Sequence, residues 1–208
     1  MKKKLSKISL LISSIALSFG FFVGIKSNSI TPVNAVTTTT RCGVEAEWRE
    51  WNDSTRLSTN GYYYLTTDVI LTSNFEIGMS SLLYLDLNGW SIVFQNGNGS
   101  HPAIQINRSA KLFLFDSSGH GKIIRDSDGK YVGAVRLDLG EFNMYGGTIT
   151  GFTNSIGNRS GVIVNNGSTF NMYGGSIENC INTNWSGGGI YIEKNGTFNM
   201  YGGVIKNC

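Results

Sequence analysis

From residue 61 onward the chain alternates short apolar runs with clusters of Gly, Asn, Ser and Asp. Within each run the apolar positions recur every second residue, the period of a strand with one buried face. No segment after Asp53 sustains a helical period. The runs also repeat over a longer distance. Phe142-Asn143-Met144-Tyr145-Gly146-Gly147 returns at Phe170 to Gly175 and again at Phe198 to Gly203, each 28 residues on. Ile149, Ile177 and Ile205 follow at one offset, and the runs Val135 to Leu137, Val162 to Val164 and Ile190 to Ile192 precede. Weaker copies lie upstream, at Leu85-Asp86-Leu87-Asn88-Gly89 with Ile92, and at Leu112 to Phe115. In the latter copy about four extra residues near Ser117 to His120 delay Ile123.

A fixed period near 28 residues with three strands per repeat predicts an all-β solenoid, a right-handed parallel β-helix of about five coils. One coil cannot bury its own apolar face, so burial comes from stacking on its neighbours. Equivalent residues then sit about 4.8 Å apart. Phe142, Phe170 and Phe198 form one internal column, and the Met and Ile series form two more. An antiparallel sandwich needs no identical residues at a constant period.

The segment before the repeat reads differently. Glu45 to Trp51 contains two Trp three residues apart among Glu and Arg, which predicts a short helix or turn capping the first coil. A tryptophan pair for sugar stacking is the functional alternative. Residues 36–47, including Thr37 to Thr40, read as a linker, and residues 48–208 as the β-helix domain.

Residues 1–35 have the layout of a secretory signal peptide: Lys2, Lys3, Lys4 and Lys7, then an apolar stretch from Ile8 to about Ile25, then Val33-Asn34-Ala35. Cleavage after Ala35 makes the protein secreted or cell-surface, with no membrane segment left behind. An uncleaved anchor is the competing reading. The leader holds five of the 17 basic residues, leaving 12 against 14 acidic ones. The basic excess thus belongs to export and gives no reason to expect nucleic acid. The chain ends at Cys208 in the middle of a coil, which predicts that it is the front part of a longer protein.

At this point the Asn88-Gly89-x-x-Ile92 and Met-x-Gly-Gly-x-Ile motifs resemble those of pectate-lyase-like right-handed β-helix proteins. The stretch from Gly61-Tyr62-Tyr63-Tyr64-Leu65 to Gly89 is similar to the first coil of surface proteins of Gram-positive gut bacteria. The resemblance spans roughly Trp48 to Cys208. It implies the fold far more strongly than a task, since solenoids of this kind serve many functions.

With Phe and Met inside, Asn143, Asn171 and Asn199 point outward in one column, and Tyr145, Tyr173 and Tyr201 in a second that Phe115 extends. An amide row beside an aromatic row is a candidate glycan surface, for a polysaccharide or a host surface glycan. The same rows also serve a purely structural purpose if the rings stack and the amides bond between coils. Lyases of the fold hold calcium on clustered outward Asp residues, and hydrolases of the fold use two or three close carboxylates. The matching outward column here reads Asp86, Phe113, Asn143, Asn171 and Asn199, with one carboxylate. Asp116 lies at the end of a strand and Asp138 in a turn, with Arg108 or Arg136 as the accompanying cation.

The remaining motifs are weaker. Asp126-Ser127-Asp128-Gly129 begins like a calcium loop but lacks the later ligands. His101 and His120 are isolated in loops, and Gly187-Gly188-Gly189 precedes a strand rather than a helix, so no metal site or phosphate cradle is expected. No cofactor is implied. Cys180 and Cys208 lie one period apart, and either a disulfide staples the two coils or the thiols fill a buried column continued by Phe152. Cys42 is left over. Together these observations favour a non-catalytic exported module for glycan binding or adhesion. A polysaccharide lyase or glycoside hydrolase on acidic glycans and a structural spacer are the alternatives.

Overall fold

The structure, a computed structural model, describes residues 37–52, 59–95, 101–126, 133–155 and 161–208. Val36–Cys208 form one compact unit, and residues 1–35, expected to be a signal peptide, lie outside the described residues. Among the described residues the protein is all-β, a parallel solenoid of about four turns. Three long parallel sheets run along it, beside a two-stranded parallel pairing of Thr153–Asn154 with Ile181–Asn182. The seven-stranded sheet stacks Trp48–Trp51, Gly61–Leu65, Leu82–Asp86, Lys111–Phe115, Glu141–Met144, Thr169–Met172 and Thr197–Met200 in chain order. A six-stranded sheet begins at Val69–Leu71 and ends at Val204–Lys206. A five-stranded sheet begins at Phe75–Ile77 and ends at Ile190–Ile192.

The 28-residue period sets the register. Phe142 is the Cα partner of Phe170, and Phe170 of Phe198. Their rings stack at 4.9 and 5.1 Å between centroids. Met144, Met172 and Met200 align in the same pairings, as do Ile149, Ile177 and Ile205 on the six-stranded sheet. Phe142, Phe170, Met144, Met172, Ile149 and Ile177 have no exposed surface, so the columns are the core. Full burial of each such side chain contributes roughly 1.5–3 kcal/mol.

The Gly-Gly pairs are required by two separate constraints. A Cβ on Gly174 would lie 2.5 Å from the Tyr145 carbonyl oxygen, and one on Gly202 2.5 Å from that of Tyr173. The second glycine of each pair, Gly147, Gly175 or Gly203, has φ between 79° and 86°, where a side chain is strained. The corner entering the seven-stranded sheet also needs a left-handed residue. Ser80, Ser109, Leu139, Gly167 and Asn195 supply it with φ of 57–70°.

The N-terminal segment departs from expectation. Trp48–Trp51 is a strand, parallel to Gly61–Leu65, with Trp48 opposite Tyr62 and Trp51 opposite Leu65. The expected helix is absent because the first rung of a solenoid exposes unpaired backbone groups. Pairing them outweighs the weak local helical preference of Glu, Arg and Trp. Trp51 is buried, its ring 5.5 Å from that of Phe75. Within the presumed linker, Thr39–Arg41 and Val44–Ala46 form an antiparallel hairpin. Arg41 pairs with Val44, leaving the two-residue loop Cys42-Gly43 with φ of 50° and 78°. Positive φ at both loop residues is what the right-handed strand twist favours.

Candidate functional site

The outer face of the seven-stranded sheet carries two columns of outward side chains. The first runs Trp48, Tyr62, Tyr84, Phe113, Asn143, Asn171, Asn199. The second begins Glu50, Tyr64, Asp86, Phe115 and is continued by the rings of Tyr145, Tyr173 and Tyr201. Asp86 therefore belongs to the tyrosine column, and Tyr84, not Asp86, shares a column with Phe113. Leu85 is opposite Leu114, which is opposite Met144, so aligning Leu85 with Phe142 by sequence slips the register by two. A two-residue slip preserves which face each side chain occupies, so inward–outward patterning does not reveal it.

Within each column, runs of neighbouring side chains contact one another. Tyr62, Tyr84 and Phe113 stack at 4.5 Å intervals. Phe115, Tyr145, Tyr173 and Tyr201 stack at 4.9, 4.6 and 4.9 Å, with planes within 11° of parallel. The aromatic stripe is thus continuous and changes column at Phe113 and Phe115, where Tyr84 stacks with both. Tyr145, Tyr173 and Tyr201 are 42, 41 and 66% exposed. Because each ring face meets the next ring, Tyr145 and Tyr173 present their edges and hydroxyls to solvent.

The amides form a directional chain. Lys111 Nζ meets Glu141 Oε2 at 2.7 Å, and Asn143 Nδ2 donates to Glu141 Oε1 at 2.9 Å. Asn171 donates to Asn143 at 3.0 Å and Asn199 to Asn171 at 2.9 Å. Burial pushes the Glu141 carboxyl up, but hydrogen bonds from Lys111 and Asn143 outweigh it and hold the group below its ordinary value. Asn171 and Asn199 are half-buried, and each retains a second amide hydrogen and further acceptor capacity.

The hairpin lies across the first half of this face. Ala46, Trp48 and Phe115 form a buried cluster apart from the main core, with Val44, Tyr62, Tyr64, Tyr84 and Phe113 packed against it. Arg41 Nη1 binds Asp86 Oδ2 at 3.1 Å, and its guanidinium carbon lies 3.6 Å from the Tyr64 ring centroid. Between hairpin and sheet is an open cleft of about 440 Å³, lined by Thr40, Arg41, Cys42, Trp48, Tyr64 and Ser117 among others. Burial, reinforced by Asp86, pushes the Cys42 thiol up to about 11.

The candidate acids are engaged elsewhere. Asp86 has no exposed surface. It accepts from Asn88 N, Ser117 N and Ser117 Oγ at 2.8–2.9 Å besides Arg41. Asp116 caps a corner, accepting from Gly89 N at 2.9 Å and Gly121 N at 2.7 Å. Asp138 is held by Arg136 Nε and Nη2 at 3.0 and 2.9 Å, by Gln105 at 2.7 Å and by Asn165. Asp86 and Asp116 thus serve the corner after the seven-stranded sheet, whereas Asp138 bonds to side chains of the five-stranded one. Arg108 gives its carbonyl to Ser80 N.

Among the described residues no group of three or more His, Cys, Asp or Glu is placed to hold a metal. Of the Asp126–Gly129 motif only Asp126 is described; it accepts from Gln95 at 3.2 Å. His101 and His120 are exposed. Cys180 and Cys208 are free thiols that donate to the carbonyls of Ile149 and Ile177 in the preceding coils. Burial pushes Cys180 up to about 12. Among the described residues no helix is long and apolar enough to cross a membrane.

Sequence reasoning found the exposed rows and offered Trp48 only as one of a tryptophan pair whose other member, Trp51, is buried in the core, and it missed Tyr62, Tyr64 and Tyr84. The signal was present as outward aromatics two apart in Gly61-Tyr62-Tyr63-Tyr64 and again as Phe113 and Phe115. No protein-family model, no curated protein and no solved structure matches the chain.

Proposed function

We propose that the protein is an exported, non-catalytic β-helix module, right-handed like nearly all parallel β-crossovers, that uses the outer seven-stranded face to hold an extended neutral polysaccharide. The observation that carries this reading is the exposed row of Tyr145, Tyr173 and Tyr201 at 4.6 and 4.9 Å. That spacing is close to the length of one sugar in an extended glycan. Since the ring faces are occupied, recognition runs through phenol hydroxyls, ring edges and the remaining amide capacity of Asn171 and Asn199. Hydroxyl arrays of this kind suit a neutral polyol better than a polyanion, and the chain without its leader has more acidic than basic residues. The layout of residues 1–35 and the resemblance to pectate-lyase-like solenoids support export and surface use. Catalysis through Asp86, Asp116 or Asp138 is disfavoured because each carboxylate already has several donors.

The test is native electrophoresis through gels containing a soluble β-1,4-glucan. The wild-type protein is retarded, and changing Tyr145, Tyr173 and Tyr201 together to Phe abolishes most of the retardation while leaving the stack intact. An unretarded wild-type protein rejects the reading and favours a structural spacer. The occupied ring faces and the amide-to-amide bonds are the observations on that side.

A further inference from the structure

The contact face proposed above is half covered by the protein itself. The hairpin of residues 39–46 lies over Tyr62, Tyr64, Tyr84, Phe113 and Phe115, while Tyr145, Tyr173 and Tyr201 remain open. We propose that this hairpin is a displaceable strap, and that a glycan longer than the exposed row displaces it and lies along the full aromatic stripe. The proposal rests on the polysaccharide reading and adds to it a preference for length.

Three features distinguish a strap from a permanent cap. First, the hairpin touches only the outer face: its buried cluster is separate from the core formed by the stacked columns. Second, its hold is small. Among the described residues it has three residue pairs of its own, an ion pair and a ring contact from Arg41, a weak thiol contact from Cys42 to Asp86, apolar contact through Val44 and Ala46, and one bond from Trp48 Nε1 to Val44 O at 3.1 Å. A two-stranded hairpin alone is marginally stable at best. Third, lifting it does not strand a bare carboxylate. When Arg41 leaves, Asp86 keeps its bonds from Asn88 N, Ser117 N and Ser117 Oγ. The surface uncovered is a stack of rings, the phenols of Tyr62, Tyr64 and Tyr84, already half-buried, together with Trp48, Phe113 and Phe115.

A closed strap weakens binding of a long ligand in proportion to the fraction of molecules in which it is closed. A short ligand that fits on Tyr145 to Tyr201 is indifferent to it. The experiment compares the purified wild-type protein, Arg41→Ala and a deletion of residues 37–46, using cellotriose and cellohexaose as probes. Deuterium exchange of the 39–46 amides is followed in the first two. Arg41→Ala speeds that exchange by about fivefold. It also lowers the cellohexaose dissociation constant by about fivefold, the factor expected from losing one part-buried ion pair. Cellotriose binds alike to all three proteins, and the deletion gains at least as much for cellohexaose as Arg41→Ala does. Unchanged exchange in Arg41→Ala, or faster exchange without tighter cellohexaose binding, overturns the strap. Failure of every form to bind either sugar overturns the contact face itself, and the exchange result then shows separately whether the hairpin opens.

Discussion

Replacing Phe170 and Phe198 separately by Ala tests the stacked columns with one residue type at one position of successive coils. Phe170 has no exposed surface and stacks with Phe142 at 4.9 Å and Phe198 at 5.1 Å. A buried Phe→Ala change costs about 3–5 kcal/mol through lost transfer energy and the cavity left behind. With a ring partner lost on both sides, about 4 kcal/mol is expected for Phe170→Ala. Phe198 is half-buried and stacks on one side only, so about 2 kcal/mol is expected there. Equilibrium urea unfolding measures both. For a urea slope of about 2 kcal/mol per molar, the midpoints fall by about 2 M and about 1 M. Because solenoids unfold by coils, a lower slope confined to Phe198→Ala would mark fraying of the coil that carries it. Equal midpoint shifts, or a larger one for Phe198→Ala, would refute the reasoning, because the loss would not then follow burial and ring contact.

Other outcomes follow from individual side chains. Asn171→Asp places a carboxylate oxygen against Asn143 Oδ1, which now accepts at 3.0 Å, in place of a donor. Urea unfolding should show a loss of about 1–3 kcal/mol at pH 7. This mismatch raises the folded pKa of the new carboxyl, so the deficit shrinks as pH falls through the carboxylate range. Leu139 sits at φ 58° and is exposed, so Leu139→Asn should raise stability by about 1 kcal/mol, read from the urea midpoint. At pH 8 a mild alkylating reagent should modify Cys208 rapidly, Cys42 slowly and Cys180 only on unfolding. Cys208 and Cys42 are both exposed, but partial desolvation and the nearby Asp86 push the Cys42 thiol up to about 11, and Cys180 is buried and pushed up to about 12. Peptide mass spectrometry against time checks the order.

The parts of this architecture that were readable from the chain are those fixed by repetition. Between Phe142 and Gly203 each coil has one length, so identity at a constant interval leads directly to contact between rungs. Upstream the intervals vary: Leu83 to Leu112 is 29 residues and Leu112 to Phe142 is 30, and Asp86 was misplaced there. The hairpin and the first strand were misread for a different reason. Their conformation comes from what lies beneath them, the aromatic face and the open sheet edge, and neither is encoded locally. A Thr-rich run with Cys42-Gly43 at its centre carries turn chemistry, yet it becomes a hairpin only once Arg41 finds Asp86 and Tyr64. The self-occupied ring faces were equally out of reach, since spacing along the chain gives the distance between rings but not their tilt.

The equal coils after Phe142 also govern how such a molecule tolerates growth. Duplicating or excising 28 residues in this region returns every inward side chain to an inward place, and the new layer meets neighbours like those it replaces. A single residue added or lost inside a strand would turn the rest of that strand inside out, exposing Phe and burying Asn. The corners tolerate such changes, since coils of 27 and 29 residues, from Val135 to Val162 and from Leu83 to Leu112, keep their inward side chains buried. Growth by whole storeys therefore leaves the strands untouched, and smaller changes are confined to the bends between them.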